Sequence, residues 1–338
     1  MSNLACRLDS QPAYVSSALR HLKNVSFPTF VSNLFPDLRP NRISISVLGE
    51  FLYRLITGSH WLKSSYSIFK VLNTCFSKAM RGLVNLGNTC YFNTAIQCLA
   101  HIPSLSRYLF LNKYEGDCKV TKEYQNVAKQ LFLAGGCDPV NPGDLIVEFR
   151  TKFPSFAGGG QHDAQEVIVC MIDVFETSLG KDLIQGIFNG VEVQETVYPG
   201  GKSVKEESFT TMILDLNLNS KLETILENRW KHAGISDYQD DTGKVHHVAA
   251  IGRKVTRWPK VIGFTFSMYN SKFQIEIPQE FEGRHLFAVV LHAGIQWGGH
   301  YALAVKRYGK WYLKDDDSVT ELSEPPTKGS FYMAWYRP

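Results

Sequence analysis

The sequence predicts an α+β fold, with helices gathered ahead of a strand-rich half. Three observations predict it. Apolar side chains recur at helical spacing between Phe92 and Leu179. After Asp182 the period changes to alternation and short buried runs. Helices and strands do not alternate along the chain, so parallel βα units are excluded.

The elements follow in order. Phe92 to Leu99 is the first helix, and Thr121 to Leu133 the next, with Tyr124, Val127 and Leu131 on one face. Pro142-Gly143-Asp144 opens a helix through Phe149. Ala157-Gly158-Gly159-Gly160 is a flexible loop feeding Gln161-His162-Asp163-Ala164-Gln165-Glu166, and a helix then runs from Ala164 to Leu179. Strands are expected over Ile187 to Val191, Met212 to Leu216 and Val261 to Phe266, with a short helix from Leu222 to Trp230. Gln274 to Ile277 alternates. Leu286 to His292, His300 to Lys306, Lys310 to Lys314 and Phe331 to Trp335 complete the strands.

Residues 1–80 read differently from residues 81–338. They hold three acids, Asp9, Asp37 and Glu50, against nine Lys and Arg. Helical spacing starts at Ser46 (Val47, Phe51, Leu52, Leu55) and again at Phe69. The bias resembles a transit peptide, but a basic, partly helical extension is the simpler expectation. Across all 338 residues the net charge is +4 with no long Lys/Arg block, which argues against nucleic acid. No apolar run reaches the roughly 20 residues that a membrane span needs. Seven cysteines, an odd number without a CxxC pair, point to free thiols in a reducing place, cytoplasmic or nuclear.

Chemistry gathers in the C-terminal hairpin. Gly298-Gly299-His300-Tyr301 opens a strand, Tyr308-Gly309 signals a turn, and Trp311 and Leu313 lead to Asp315-Asp316-Asp317. A loop of Arg307-Tyr308 sets His300 opposite Asp315. A loop of Arg307 to Gly309 sets it opposite Asp316, and a loop of Tyr308-Gly309 opposite Asp317. Every register places a carboxylate about 5 Å from the imidazole at Cβ, where it fixes the tautomer and stabilises the protonated ring. The two glycines clear space for a slim backbone to reach His300. His292 suits a structural or a site role equally. His246-His247 does not read as a metal site, since adjacent strand histidines face opposite ways.

The complementary nucleophile is Cys90, at the mouth of a helix in Asn85-Leu86-Gly87-Asn88-Thr89-Cys90-Tyr91-Phe92-Asn93. Gly87 permits a turn there, and the positive end of the helix favours a thiolate. Tyr91, Phe92 and Ile96 read as packing, and Asn93 as either a helix-start hydrogen bond or a neighbour of the nucleophile.

Together these motifs resemble the ubiquitin-specific protease family of deubiquitinases, from Gly82 to the C-terminus. Gly82 to Asn93 is similar to its cysteine box, Gln161 to Glu166 to its glutamine-rich motif, and His292 through Gly298-Gly299-His300-Tyr301 to Asp315-Asp316 to its histidine box. The resemblance implies a papain-like cysteine peptidase with a right-hand fold: helical thumb, β palm and β fingers. It implies Cys90 as nucleophile, His300 as general base, Asp315 as orienting acid and Asn85 as oxyanion donor. Asp163 and Gln165 would meet the modifier's tail, with Asp163 on its arginine, and Gly298, Gly299 and Tyr301 would line the slot for its terminal Gly-Gly. The implied partner is ubiquitin with its conjugates. Alternatives are another modifier with the same tail, such as the interferon-induced ubiquitin-like protein, or a non-catalytic ubiquitin-binding scaffold. Two features depart from the family. Gly190 to Val255 lacks cysteine, so no metal or other cofactor is expected in the fingers, and Met268-Tyr269 replaces the usual Arg-Phe.

Overall fold

A computed structural model describes residues 80–132, 138–216, 220–267, 274–295 and 298–338. The extension expected over 1–80 lies outside the described residues apart from Met80, and so does Met268-Tyr269. Among the described residues no helix is long and apolar enough to cross a membrane.

Helix α1, Cys90–Ala100, is the axis of the helical half, and all 11 of its residues are buried. A helix buried all round must satisfy its polar side chains internally. Asn93 Nδ2 donates to the Val84 carbonyl (3.2 Å), and Gln97 Nε2 donates to the Arg81 carbonyl (3.0 Å). Helix α2, Pro103–Leu111, opens on proline at its first turn, where the missing N–H costs nothing. Helices α3 (Lys119–Phe132), α4 (Gly143–Lys152) and α5 (Ala164–Leu179) follow. Helix α6, Lys181–Phe188, takes Ile187 and Phe188, which the sequence assigned to a strand. Buried Ile184, Ile187 and Phe188 lie at helical spacing, and a short apolar run alone does not distinguish the two periods.

The strand-rich half starts at Gly190. Strands β1 (Gly190–Tyr198), β2 (Gly201–Phe209), β3 (Met212–Asp215), β4 (Ala233–Ile235), β5 (Ala249–Arg257) and β6 (Ile262–Ser267) come first, with helix α7 (Leu222–Trp230) inserted after β3. Strands β7 (Arg284–Ile295), β8 (Gly298–Arg307), β9 (Lys310–Asp315), β10 (Ser318–Leu322) and β11 (Phe331–Arg337) close the chain. The large sheet runs β10-β9-β8-β7-β11-β6-β3, and its one parallel pair is β3 with β6.

This sheet separates two cores. Tyr301, Leu303 and Val305 of β8 face α1 and α5, whereas Ala304 faces the other way, toward Phe264, Trp311 and Leu226 of α7. The alternation of a strand thus seats α1 directly against β8, which carries the histidine motif.

A second sheet, ordered β2-β1-β5-β4, projects from Gly190 onward. Strand β2 is mostly polar and exposed, with Phe209 at its end packed on the second core, so hydrophobic alternation gives no sign of it in the sequence. The tip beyond it is knotted by Asp240. Its Oδ1 accepts from the Thr242 N–H (2.9 Å), the Thr242 hydroxyl (2.6 Å) and the Lys244 N–H (3.1 Å). Its Oδ2 pairs with Nε2 of buried His246 (2.8 Å), whose ring lies 4.3 Å from that of Tyr198. His247 faces out and pairs with Asp237.

The Thr242 hydroxyl, then His246, hold the Asp240 carboxyl well below its ordinary value of 3.8. A depressed carboxyl stabilises fully above its unfolded value and stops doing so as pH falls through the folded one. Asp240→Asn is therefore expected to lower Tm at neutral pH, with the gap closing as melts are run into acid below pH 3.8. A gap that stays constant with pH would assign the effect to something other than the carboxylate.

Candidate active site

The loop ahead of α1 reverses through two left-handed residues, Gly87 (φ 93°) and Asn88 (φ 50°). Asn85 organises it. Its Oδ1 accepts from the Gly87 N–H (2.9 Å), the Thr89 N–H (3.2 Å) and the Thr89 hydroxyl (3.2 Å). The Asn88 amide donates to the Gly159 carbonyl (2.9 Å) and ties this loop to the glycine loop before Gln161. Cys90 emerges at the helix start, buried, with the Tyr301 backbone N–H directed to it. Burial raises the thiol above its ordinary value, and the Asp316 charge adds to this. The amides of Tyr301, Tyr91 and Cys90 itself pull the other way. The helix terminus therefore does not leave a free thiolate in the resting site, as the sequence suggested, because desolvation outweighs it.

The hairpin turns through Tyr308 and Gly309, both with positive φ, as a two-residue reversal demands. Extended regularly, that register sets Asp317 opposite His300. Yet the residue bonded to His300 Nε2 is Asp315. The reason is that β9 leaves β8 after the Leu303–Lys314 pair and turns into β10 through Asp316-Asp317. Straight-ladder geometry fails at this turn, and the bend brings Asp315 back to the histidine. The imidazole and its acid are both about half exposed, at 47% each.

Asp316 takes φ 50° and sends its carboxylate the other way. Its Oδ2 accepts from Asn85 Nδ2 (2.6 Å), and its Oδ1 accepts from Asn93 Nδ2 (2.8 Å). One of the two N–H groups of the Asn85 amide is thus engaged by a carboxylate, and an amide has one more to offer. Asn93 is thereby placed beside the acids rather than serving a helix-start bond.

Further contacts join β8 to the start of α5. Asp163 caps α5 with Oδ1 on the Gln165 N–H (2.7 Å), and the Tyr332 hydroxyl donates to Oδ2. The carboxylate keeps lone pairs for a further donor. The Tyr301 hydroxyl accepts from the Ala164 N–H, and the Tyr301 and Tyr332 rings meet edge to face at 5.5 Å. Half-buried His292 lies under Tyr301 (4.4 Å), and its burial lowers its basicity. Gln161 Oε1 accepts from the Gly299 N–H (2.5 Å), bridging the two sides. The Gln165 amide points to the Thr211 hydroxyl (3.2 Å). In the sequence Asp316 stands as one register's acid for His300, not as a partner of Asn85 and Asn93, and Gln161 stands only as part of a motif. Tyr332, an aromatic in the last strand, carries no local signal of its contact with Asp163.

Among the described residues, His300, Asp315 and Asp316 are the set that offers clustered ligand atoms. Asp315 is bonded to His300, and Asp316 to Asn85 and Asn93.

The family model described as ubiquitin carboxyl-terminal hydrolase matches residues 81–336. The chain belongs to this family. Curated relatives include ubiquitin carboxyl-terminal hydrolase 15 of Xenopus tropicalis, 28% identical over 177 residues covering 47% of this chain and 17% of that protein. The 17-like protein 10 of Homo sapiens is 27% identical over 282 residues, covering 72% of this chain and 52% of that protein. The chain thus spans about half or less of these relatives' length. Among solved structures, the SAGA Ubp8/Sgf11/Sus1/Sgf73 module bound to ubiquitin aldehyde aligns with TM-score 0.67 at 20% identity, over 77% of this chain and 70% of that one. The ubiquitin-specific protease fold of thumb, palm and fingers therefore holds for this domain.

Two adjacent glycines of the domain are not equivalent. A Cβ on Gly299 would lie 2.3 Å from His292 Nε2 and 2.7 Å from the Ala293 carbonyl, whereas one on Gly298 meets nothing nearer than Gln161 Oε1 at 3.9 Å among the described residues. Gly299→Ala is expected to destabilise the domain by about 1–3 kcal/mol through overpacking. Gly298→Ala should leave Tm unchanged. Paired thermal melts check the contrast.

Proposed function

We propose that the chain is a thiol isopeptidase that cleaves the bond after the C-terminal Gly-Gly of ubiquitin. The observation that carries this reading is the bond from His300 Nε2 to Asp315, beside a strand whose next amide addresses Cys90. With Nε2 committed, Nδ1 is the nitrogen left to take a proton from the thiol. Burial holds the thiol protonated until that transfer, and Asp315 stabilises the imidazolium that results.

The thiolate attacks the carbonyl of the terminal glycine, and charge develops on its oxygen. The second N–H of Asn85 donates there, an effect on the order of 3 kcal/mol in comparable sites. Collapse expels the lysine ε-amine, which receives the proton from His300 and leaves a thioester on Cys90. Water, deprotonated by His300, then hydrolyses the thioester, freeing the modifier's carboxylate and restoring the thiol.

Gly298, open on its Cα side, and Gly299, pressed on His292, suit a tail without side chains. Asp163 suits an arginine just before it, where a charge-assisted hydrogen bond forms. The relatives' names and the ubiquitin-bound Ubp8 modules support this choice of modifier. Free thiol chemistry suits a reducing cytoplasmic or nuclear setting. A second reading, a different modifier with the same tail, is favoured by the fingertip. Asp240 and His246 organise it where the sequence offers no cysteine, and fingers grip the modifier's globular body.

Incubation with a ubiquitin C-terminal electrophile is expected to label Cys90, and Cys90→Ala to abolish hydrolysis of a fluorogenic ubiquitin amide. Folded protein that is neither labelled nor active would sink the enzymatic reading in favour of a scaffold. Preferential labelling by an interferon-induced ubiquitin-like probe in the same panel would select the second modifier. Gly298→Ala should fold normally yet lose most of its kcat/KM, because the methyl fills the tail slot.

A further inference from the structure

Lys314 is a buried amine, 3% exposed, one residue before the acid bonded to His300. Its Nζ donates to the Arg81 carbonyl (2.8 Å) and to Gln97 Oε1 (2.9 Å). No ion pair of Lys314 occurs among the described residues. Burial and the nearby Arg307 charge hold the amine well below its ordinary value. An amine buried without a carboxylate weakens a fold relative to an apolar side chain of similar length, so the stability of the domain does not explain its presence.

Its position does. The β8–β9 ladder ends at the Leu303–Lys314 pair, and Asp315 and Asp316 stand beyond that last pair. On the β8 side the turn is therefore held by side chains and the Gly82-Leu83 segment, and on the other by the Asp315–Ser318 pair with β10. Leu83 N–H donates to the Asp316 carbonyl (2.8 Å), and Lys314 reaches Gln97, two turns along α1 from Cys90. Lys314, Gln97, Asn93 and Asp316 line one small gap under the acids, with the Asn93 Oδ1 unpartnered.

We infer that Lys314 is a positioning residue for the reaction proposed above: through Gln97 and the Arg81 carbonyl it ties the strand bearing Asp315 to the helix bearing Cys90, and so sets the acid turn against the nucleophile. The inference rests on that reaction for its purpose, and on the described bonds for its geometry.

The test compares the full chain with K314M in three measurements: hydrolysis of ubiquitin aminomethylcoumarin amide, thermal melting, and the pH profile of Cys90 alkylation by iodoacetamide followed by peptide mapping. The expected result is a kcat lowered about tenfold or more with KM within about twofold, as for small misplacement of reacting groups. Tm should stay level or rise, and the alkylation midpoint should move to higher pH as the imidazole is less well placed to take the thiol's proton. Wild-type kcat in K314M overturns the inference, as does a fall of kcat and Tm together. Gln97→Leu cuts the same tie from the helix side. It should lower kcat similarly, and the double variant should lose no more than either single one. Failure of both single variants to fold marks the tie as structural and also overturns the inference. If the wild-type chain leaves the ubiquitin substrate intact while the Cys90 midpoint still shifts in K314M, the ubiquitin reading fails and the positioning role stands.

Discussion

The two-residue turn at Asp316-Asp317 is the constraint on which the site depends. Asp316 adopts a left-handed backbone that costs an ordinary residue on the order of 1–3 kcal/mol. The surroundings over-determine it: Asn85 and Asn93 hold its carboxylate, and the Leu83 N–H holds its carbonyl. A Cβ at Gly82 would fall 2.3 Å from that same carbonyl, so only glycine lets the segment before Leu83 lie this close. Hydrogen bonds to a charged group contribute about 1.5–3 kcal/mol each, enough for two of them to offset the strain. The turn divides a pair of neighbouring acids between two tasks. Asp315 goes to the histidine, and Asp316 goes to the loop that precedes the cysteine.

The segment from Arg81 to Val84 extends this constraint into the helical half. Its carbonyls receive Lys314, Gln97 and Asn93, and Leu83 and Val84 pair with Val140 and the acid turn. Several backbone groups of this short stretch therefore touch the helix bearing Cys90 or the turn bearing the acids. Such a stretch transmits displacement because its hydrogen bonds are saturated: moving it a fraction of an ångström breaks several at once. The same reasoning separates Lys314 from an ordinary core residue. Its value lies in the placement of groups it does not touch, and its burial works against stability.

The sequence made some of this legible and hid the rest for identifiable reasons. Helix α5 matches the sequence reading at both ends, where apolar spacing agrees with the Asp163 cap and Gly180, and helix α7 matches it on apolar spacing alone. Ile187 and Phe188 were misread as strand because β-branched and aromatic residues satisfy either period over so short a run. Strand β2 was invisible because its stability comes from pairing with β1, with no buried face to impose alternation. In the site, Cys90, His300 and Asp163 stood inside motifs, whereas Tyr332 met Asp163 only through sheet topology. The hairpin shows the limit best. Every register put an acid near His300, but pairing rules alone favoured Asp317 once the turn was Tyr308-Gly309, and the departure of β9 toward β10 decided for Asp315.

The resting electrostatics follow from the same packing. A cysteine at a helix start is expected to ionise, yet here it sits in the wall between α1 and β8, where desolvation dominates. The amides of Tyr301 and Tyr91 that address the sulfur are too few to reverse that, and Asp316 lies close enough to oppose a second negative charge. A thiol kept protonated by burial is protected from adventitious oxidation and alkylation, which require the thiolate. In the proposed reaction it becomes a nucleophile only when its proton has somewhere to go, and the half-exposed imidazole on Asp315 is the proposed acceptor. Reactivity is then a property of the assembled pair. It depends on the turn that holds Asp315 against His300 as much as on the cysteine itself.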